Sequence, residues 1–141
     1  MEKYIFLPHT ADTKFQAFGK TLEEAFANAA LALTEVVVEP NKIKAKILKK
    51  IKIESEDEKS LLYDFLEQFL ILIDTDDFLI NKVRTISIEQ GNKRLKLNAD
   101  IVGDSGIQKY KPKTAIKAVT YQEMEIHKDK KEYMVQVILD L

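Results

Sequence analysis

Apolar and polar residues change their period several times along this chain, and each change predicts a new element. Residues 3–10 read as a strand or an extended lead-in, and residues 13–18 as a second strand closed by Gly19. Thr21-Leu22-Glu23-Glu24 then opens a helix. The Thr21 hydroxyl can accept from the backbone N–H three residues on, and Glu24 can reach back to it, as in a capping box. Leu22, Ala25, Phe26, Ala29, Leu33, Val36 and Val37 share one face of this helix, which should stop before Pro40.

Over residues 42–54 the period drops to two. Ile43, Ala45, Ile47, Ile51 and Ile53 alternate with lysines, the mark of a half-exposed strand. Leu48 on the polar side and Lys49 out of step predict a local irregularity. A second helix is expected over residues 56–74, burying Leu62, Phe65, Leu66, Phe69 and Ile73 and wetting Asp64, Glu67 and Gln68. The rest reads as antiparallel sheet. Strands over 83–89 and 95–101 flank a turn at Gln90-Gly91-Asn92, residues 103–113 form a loop, 116–127 a strand, 128–131 a hairpin turn and 133–139 the last strand. That last strand is apolar on both faces, which predicts an interior position with Asp140 at its exit. The order predicts an α+β fold, a single domain over residues 1–141, with two main helices packed on a mixed or largely antiparallel β-sheet.

Charge sharpens this picture. Charged residues make up 32% of the chain but nearly cancel, to a formal net charge of -1, which argues against a wholly basic nucleic-acid surface and leaves room for a local basic patch. The absence of cysteine excludes disulfides, thiolate zinc sites and a cysteine nucleophile, and suits a reducing compartment. The first residues are too short in apolar length for a signal peptide, and no other apolar run would span a bilayer, so a cytoplasmic location is expected. There is no phosphate-binding glycine loop, dinucleotide fingerprint or G-x-S-x-G elbow. Two histidines, His9 and His127, are too few for a multi-histidine metal site. An accessory role is favoured over independent catalysis.

Three constellations remain. His9-Thr10-Ala11-Asp12 lies between two strands, where it can present an imidazole and a carboxylate together or simply form a turn. Asp140 and Leu141 offer oxygen donors, the more so if the native chain stops at Leu141. Such groups suit hard cations, although a terminal Asp is more commonly just solvated. Two are too few for a closed site, and Asp12 is a sensible third. Lys109, Lys111, Lys113 and Lys117, with Tyr110 and Tyr121 nearby, can contact phosphates and stack bases or serve as a solvated loop.

Five runs in order resemble the archease family: His9-Thr10-Ala11-Asp12; Ala17-Phe18-Gly19-Lys20-Thr21-Leu22-Glu23-Glu24-Ala25-Phe26; Leu61-Leu62-Tyr63-Asp64-Phe65-Leu66-Glu67; Ile116-Lys117-Ala118-Val119-Thr120-Tyr121; and Val137-Ile138-Leu139-Asp140-Leu141. The resemblance covers nearly the whole chain, from Tyr4 to Leu141. It implies an accessory protein, not an enzyme, of the RtcB-type RNA ligase. Such a protein promotes ligase guanylylation and multiple turnover in tRNA splicing and RNA repair, and meets tRNA through the ligase. It also implies a divalent metal site, carried over to Asp12 and Asp140 with Leu141 as a further oxygen ligand. Calcium is the expected ion, with magnesium or manganese as alternatives. His9 and the four lysines become candidates for partner binding. The chain departs from the family pattern at Pro8, Gln122 and above all Ala115, where many members carry a glutamate. Either Glu123 or Asp104 is a candidate replacement acid. The competing functions are a free-standing metal-dependent phosphoesterase, with His9 as its base, and a small RNA-binding module.

Overall fold

The computed structural model describes residues 2–141. Strands β1 (Tyr4–Leu7), β2 (Thr13–Gly19), β6 (Ala118–Val119), β7 (Glu125–Lys128) and β8 (Tyr133–Asp140) form a five-stranded sheet. Its order is β1-β2-β8-β6, with β7 sharing an edge of β8 with β6. Strands β3 (Ile47–Ser55), β4 (Phe78–Gln90) and β5 (Leu95–Ser105) form a second sheet in the order β3-β5-β4. All six strand pairings are antiparallel. Helices α1 (Leu22–Val37) and α2 (Glu58–Asp76) each pack against both sheets. The expected α+β architecture of two helices on antiparallel sheet is therefore present.

One apolar core joins these layers. Phe15 and Ala17 of β2, and Val135, Val137 and Leu139 of β8, point from the large sheet onto the helices and are fully buried. Phe26 of α1 stacks on Phe65 of α2 with centroids 6.1 Å apart, and Phe65 meets Phe69 edge-on at 5.0 Å. Leu97, Ala99 and Ile101 close the core from β5. As predicted, β8 is interior: Gln136 and Ile138, on its other face, are buried too.

The helix ends follow from their caps. Thr21 accepts from the Glu24 N–H at 3.1 Å. The Glu24 carboxylate reaches back to the Lys20 N–H at 3.0 Å, one residue beyond the Thr21 N–H that a full capping box would use. The reciprocal box occurs instead on α2, between Asp57 and Ser60, so that helix starts later than expected. It also runs to Asp76, and Asp77 in the left-handed region (φ 53°) turns the chain directly into β4. Other sequence expectations are corrected too. The strand expected over 42–54 begins only at Ile47, because Pro40–Lys42 forms a 3-10 turn and Ile43 drops into a small cluster with Val37, Val38, Leu79 and Ile107. The β3 register is unbroken through Leu48 and Lys49. Lys49 faces inward, where it bonds Asp76 at 2.7 Å, and the irregularities fall on β4, between Ile80 and Lys82 and between Val83 and Thr85. The strand expected over 83–89 extends back to Phe78, since Phe78, Leu79 and Ile80 are all buried. The strand expected over 116–127 is broken into β6 and β7 by a turn.

Gly103 explains why β5 continues where a loop was expected. A β-carbon there would lie 1.9 Å from the Leu79 carbonyl oxygen and 2.8 Å from the Ile80 α-carbon, so only glycine lets β4 and β5 approach this closely. Gly103→Ala is expected to destabilise the fold by about 1–3 kcal/mol through forced separation of the strands. Urea denaturation followed by far-UV circular dichroism measures this, and an unchanged midpoint would contradict it.

Candidate functional site

The strand register brings the two ends of the chain together. Leu7 of β1 pairs with Lys14 of β2, so residues 8–13 form the short connection between them. Ala11 adopts a left-handed backbone (φ 66°) that reverses the chain before Asp12. Thr13 pairs with Leu139, and the chain leaves the ladder with Asp12 and Asp140 as the next residues on the two strands. Paired residues share a face of a sheet. Gln16 and Gln136, bonded to each other at 2.9 Å, mark this face as the one turned away from the helices.

A cleft of about 530 Å³ opens at this end of the sheet, lined by His9, Asp12, Lys14, Glu35, Lys113 and Leu141 among others. Three sequence candidates, His9, Asp12 and Leu141, thus meet in one place, with Lys113 on the rim. Asp140 is exposed beside the cleft without lining it, and its carbonyl accepts from the Lys117 N–H at 2.8 Å. His9 Nδ1 lies 3.8 Å from Asp12 Oδ2, and His9 Nε2 lies 3.5 Å from Glu123 Oε2. Lys14 Nζ holds the other Glu123 oxygen at 2.9 Å. The Lys14 ammonium, and after it His9, holds the Glu123 carboxyl below the usual carboxylate range.

The position of Glu123 has a local cause. Residues 120–124 fold back as a turn closed by a Met124 N–H to Tyr121 carbonyl bond of 3.0 Å, with Met124 buried. Glu123 takes φ 53°, unfavourable for a residue with a β-carbon, and its carbonyl accepts from buried Gln136 at 2.8 Å. Tyr121 stacks on Tyr63 of α2 with centroids 4.4 Å apart and ring planes 7° from parallel, pinning the start of the turn. Glu35 belongs to the cleft from the helix side and accepts from the Tyr4 hydroxyl at 2.5 Å. Burial, and then the Glu35 hydrogen bond, push the Tyr4 hydroxyl well above the ordinary tyrosine range.

Of the two candidate replacement acids, only Glu123 is near His9 and Asp12. Asp104 is 4% exposed at the end of β5, where it binds Lys109 at 2.8 Å, the Tyr110 hydroxyl at 2.5 Å and the Ser105 N–H at 2.9 Å. Lys109 is accordingly matched to a structural carboxylate. Lys111, Lys113 and Lys117 are exposed. Ala115 lines a separate apolar cleft with Val37, Leu70, Ile73 and Ile116. Lys14 and Glu35 were missed as site residues. Lys14 was recoverable from strand alternation alone, whereas nothing in the pattern of α1 marks Glu35. Among the described residues no three His, Asp or Glu side chains converge as a metal-holding group. Nor is any helix there long and apolar enough to cross a membrane.

The class defined here is a small α+β domain with a charged cleft where the first hairpin meets the last strand. Sequence comparison names it further. A profile described as the archease protein family matches residues 4–141. The chain is 39% identical over 141 residues to the protein archease of Methanosarcina barkeri, covering 99% of this chain and 97% of that one. It is 36% identical to the protein archease of Pyrococcus abyssi, with both chains covered completely. The solution structure of Methanobacterium thermoautotrophicum protein 1598 superposes with a TM-score of 0.86 at 35% identity, covering 100% of both chains. A crystal structure titled an archease, possible chaperone, from Thermotoga maritima shares the fold at a TM-score of 0.56 and 18% identity, over 96% of this chain and 94% of that one. The chain belongs to the archease family.

The Asp104 cluster carries a pH signature. Hydrogen bonds from Lys109 and then Tyr110 lower the Asp104 carboxyl from 3.8 to about 2. A carboxyl lowered by folding stabilises the native state above its unfolded value, and that contribution is lost as pH falls through the folded one. Asp104→Asn is therefore expected to lower the melting temperature at neutral pH. The difference from the parent should shrink as pH drops from 3.8 towards 2. Calorimetry across that range checks it, and a pH-independent difference would contradict it.

Proposed function

We propose that this protein is an accessory factor of an RtcB-type RNA ligase that promotes ligase guanylylation and multiple turnover in tRNA splicing and RNA repair. In this role it is not itself an enzyme and acts through a divalent metal site at the Asp12 cleft. Membership of the archease family over residues 4–141 carries this reading. The meeting of Asp12 and Leu141 in one cleft, with Asp140 at the adjoining strand position, supports the site.

Asp12 and Asp140 supply carboxylate oxygens and Leu141 a backbone oxygen, all hard donors of the kind calcium, magnesium and manganese accept. The cleft is open, and among the described residues its side chains do not converge three at a time. That suits an ion which keeps part of its water. A buried His9 Nδ1 that finds no hydrogen-bond partner among the described residues also lies at this cleft. When bound, a divalent ion neutralises negative charge of the kind that moves between phosphates in nucleotidyl transfer. Exposed Lys113 and Lys117 flank the cleft and Asp140, where they suit an anionic partner surface or the phosphates of ligase-bound tRNA. Lys111 is exposed as well, while Lys109 is already paired.

The test is a ligase guanylylation assay, with and without this protein, across several divalent ions. Stimulation by the parent, and its loss in Asp12→Ala and Asp140→Ala with unfolding unchanged, is expected. Full stimulation by both variants, or none by the parent, would sink the proposal. The ligase complex should also weaken as salt rises, if Lys111, Lys113 and Lys117 hold it electrostatically.

A further inference from the structure

Residues 111–117 belong to no helix or strand and lead directly into β6. Two backbone bonds hold them, from the Lys113 N–H to the Val37 carbonyl and from the Lys117 N–H to the Asp140 carbonyl, both at 2.8 Å. Pro112 restricts the entry by fixing its own φ. Between the two anchors, the N–H groups of Thr114, Ala115 and Ile116 find no hydrogen-bond partner among the described residues. The segment is thus preorganised, with free main-chain donors. An apolar cleft of about 350 Å³ opens between it, the end of α1 and the second half of α2. Val37, Leu70, Ile73, Ile107, Pro112 and Ile116 form its apolar walls. That volume lies at the lower end of the range for ligand pockets and suits an apolar anchor side chain.

The charges around this cleft are uneven. Lys111, Lys113 and Lys117 are exposed, and unlike Lys109 they form no ion pair among the described residues. Asp74, on the α2 wall, is the acidic residue of the lining. Carboxylates of an occupant are therefore drawn to the 111–117 wall and kept off the α2 wall. We infer that this groove docks an extended acidic segment of a protein partner. The segment adds its main chain to residues 114–116, seats an apolar side chain in the cleft and lays its carboxylates on the three lysines. Strand addition of this kind takes affinity from main-chain hydrogen bonds and specificity from the pocket beside them. A nucleic-acid backbone would satisfy the lysines and leave the apolar walls unused. The groove adjoins the Asp12 cleft, because Thr114 lines both. The inference rests on the accessory reading above for the existence of a protein partner, and deepens it by naming the surface and the partner chemistry.

Selection of random peptides, about ten residues long, on the full chain without ligase or metal tests this. Selected sequences should carry a large aliphatic or aromatic residue with Asp and Glu around it. In amide NMR spectra the strongest peptide should move the signals of residues 113–117, Leu70 and Ile73 and leave those of β3 still. Ala115→Glu sets a carboxylate into the groove at an exposed position and should weaken that peptide at least about tenfold. Lys111→Glu combined with Lys113→Glu should do the same, and rising salt should weaken the parent complex. Ala115→Ser should leave binding within about twofold. Far-UV circular dichroism of each variant should match the parent. No enrichment, a basic consensus, or equal binding of the peptide by Ala115→Glu and the parent would overturn the inference. A uridine oligonucleotide of about ten residues that moves the same signals at lower concentration than any selected peptide would also overturn it. Each of these results leaves the ligase reading standing, since the guanylylation assay tests that separately.

Discussion

Strand β8 is bonded along both edges and covered on both faces. β2 pairs with its whole length except Asp140, while β7 serves the first half of its other edge and β6 the last two residues. Everything at the cleft descends from this arrangement. Residues 120–124 stand opposite only Val137 and Ile138, so the surplus chain cannot lie flat in the ladder. It folds up as a turn that sets Tyr121 on Tyr63 of α2, buries Met124 in the core and turns Glu123 outward. Thr120 closes the gap by donating from its hydroxyl to the Ile138 carbonyl at 2.8 Å. That turn brings Glu123 beside Lys14 and His9. The same ladder, read towards its other end, sets Asp12 next to Asp140.

Local chemistry made much of the fold legible. Alternation identified most strands, the α1 cap was readable at Thr21, and the two apolar faces of β8 announced its interior place. The failures share one cause: a periodic pattern does not know what it packs against. Ile43 continues the alternation of β3 in sequence, yet in space it belongs under Leu79 and Ile107. Lys49 looked out of step, yet it obeys the alternation and finds Asp76 across the inner edge. Gly103 resembled a loop opener because glycine usually is one, and only the Leu79 backbone explains it as a strand residue.

The cleft was less legible than the fold. On residue chemistry alone Asp12 and Asp140 were ordinary acids, and the family resemblance was what joined them. Their neighbourhood depends on a strand pairing between residues some 120 positions apart, which no local window reveals. Glu123 and Asp104 were equal substitutes in sequence, and burial separates them. Asp104 is committed to Lys109 and Tyr110, while Glu123 faces the imidazole. Lys109 leaves the group of free surface lysines for the same reason.

The separation of β2 from β8 also has a consequence during synthesis. A ribosome releases β1, β2 and α1 long before β8, so for most of translation the hairpin has an open edge and Phe15 and Ala17 lack their final neighbours. Pairings of such high sequence separation form slowly and leave apolar surface exposed meanwhile. The helices and the β3-β5-β4 sheet lie between the two in sequence and can assemble first. Docking of β8 then closes the large sheet and completes the cleft in one event. A nascent or truncated chain that lacks β8 therefore has no such cleft, and the cleft doubles as a record that the last strand has docked.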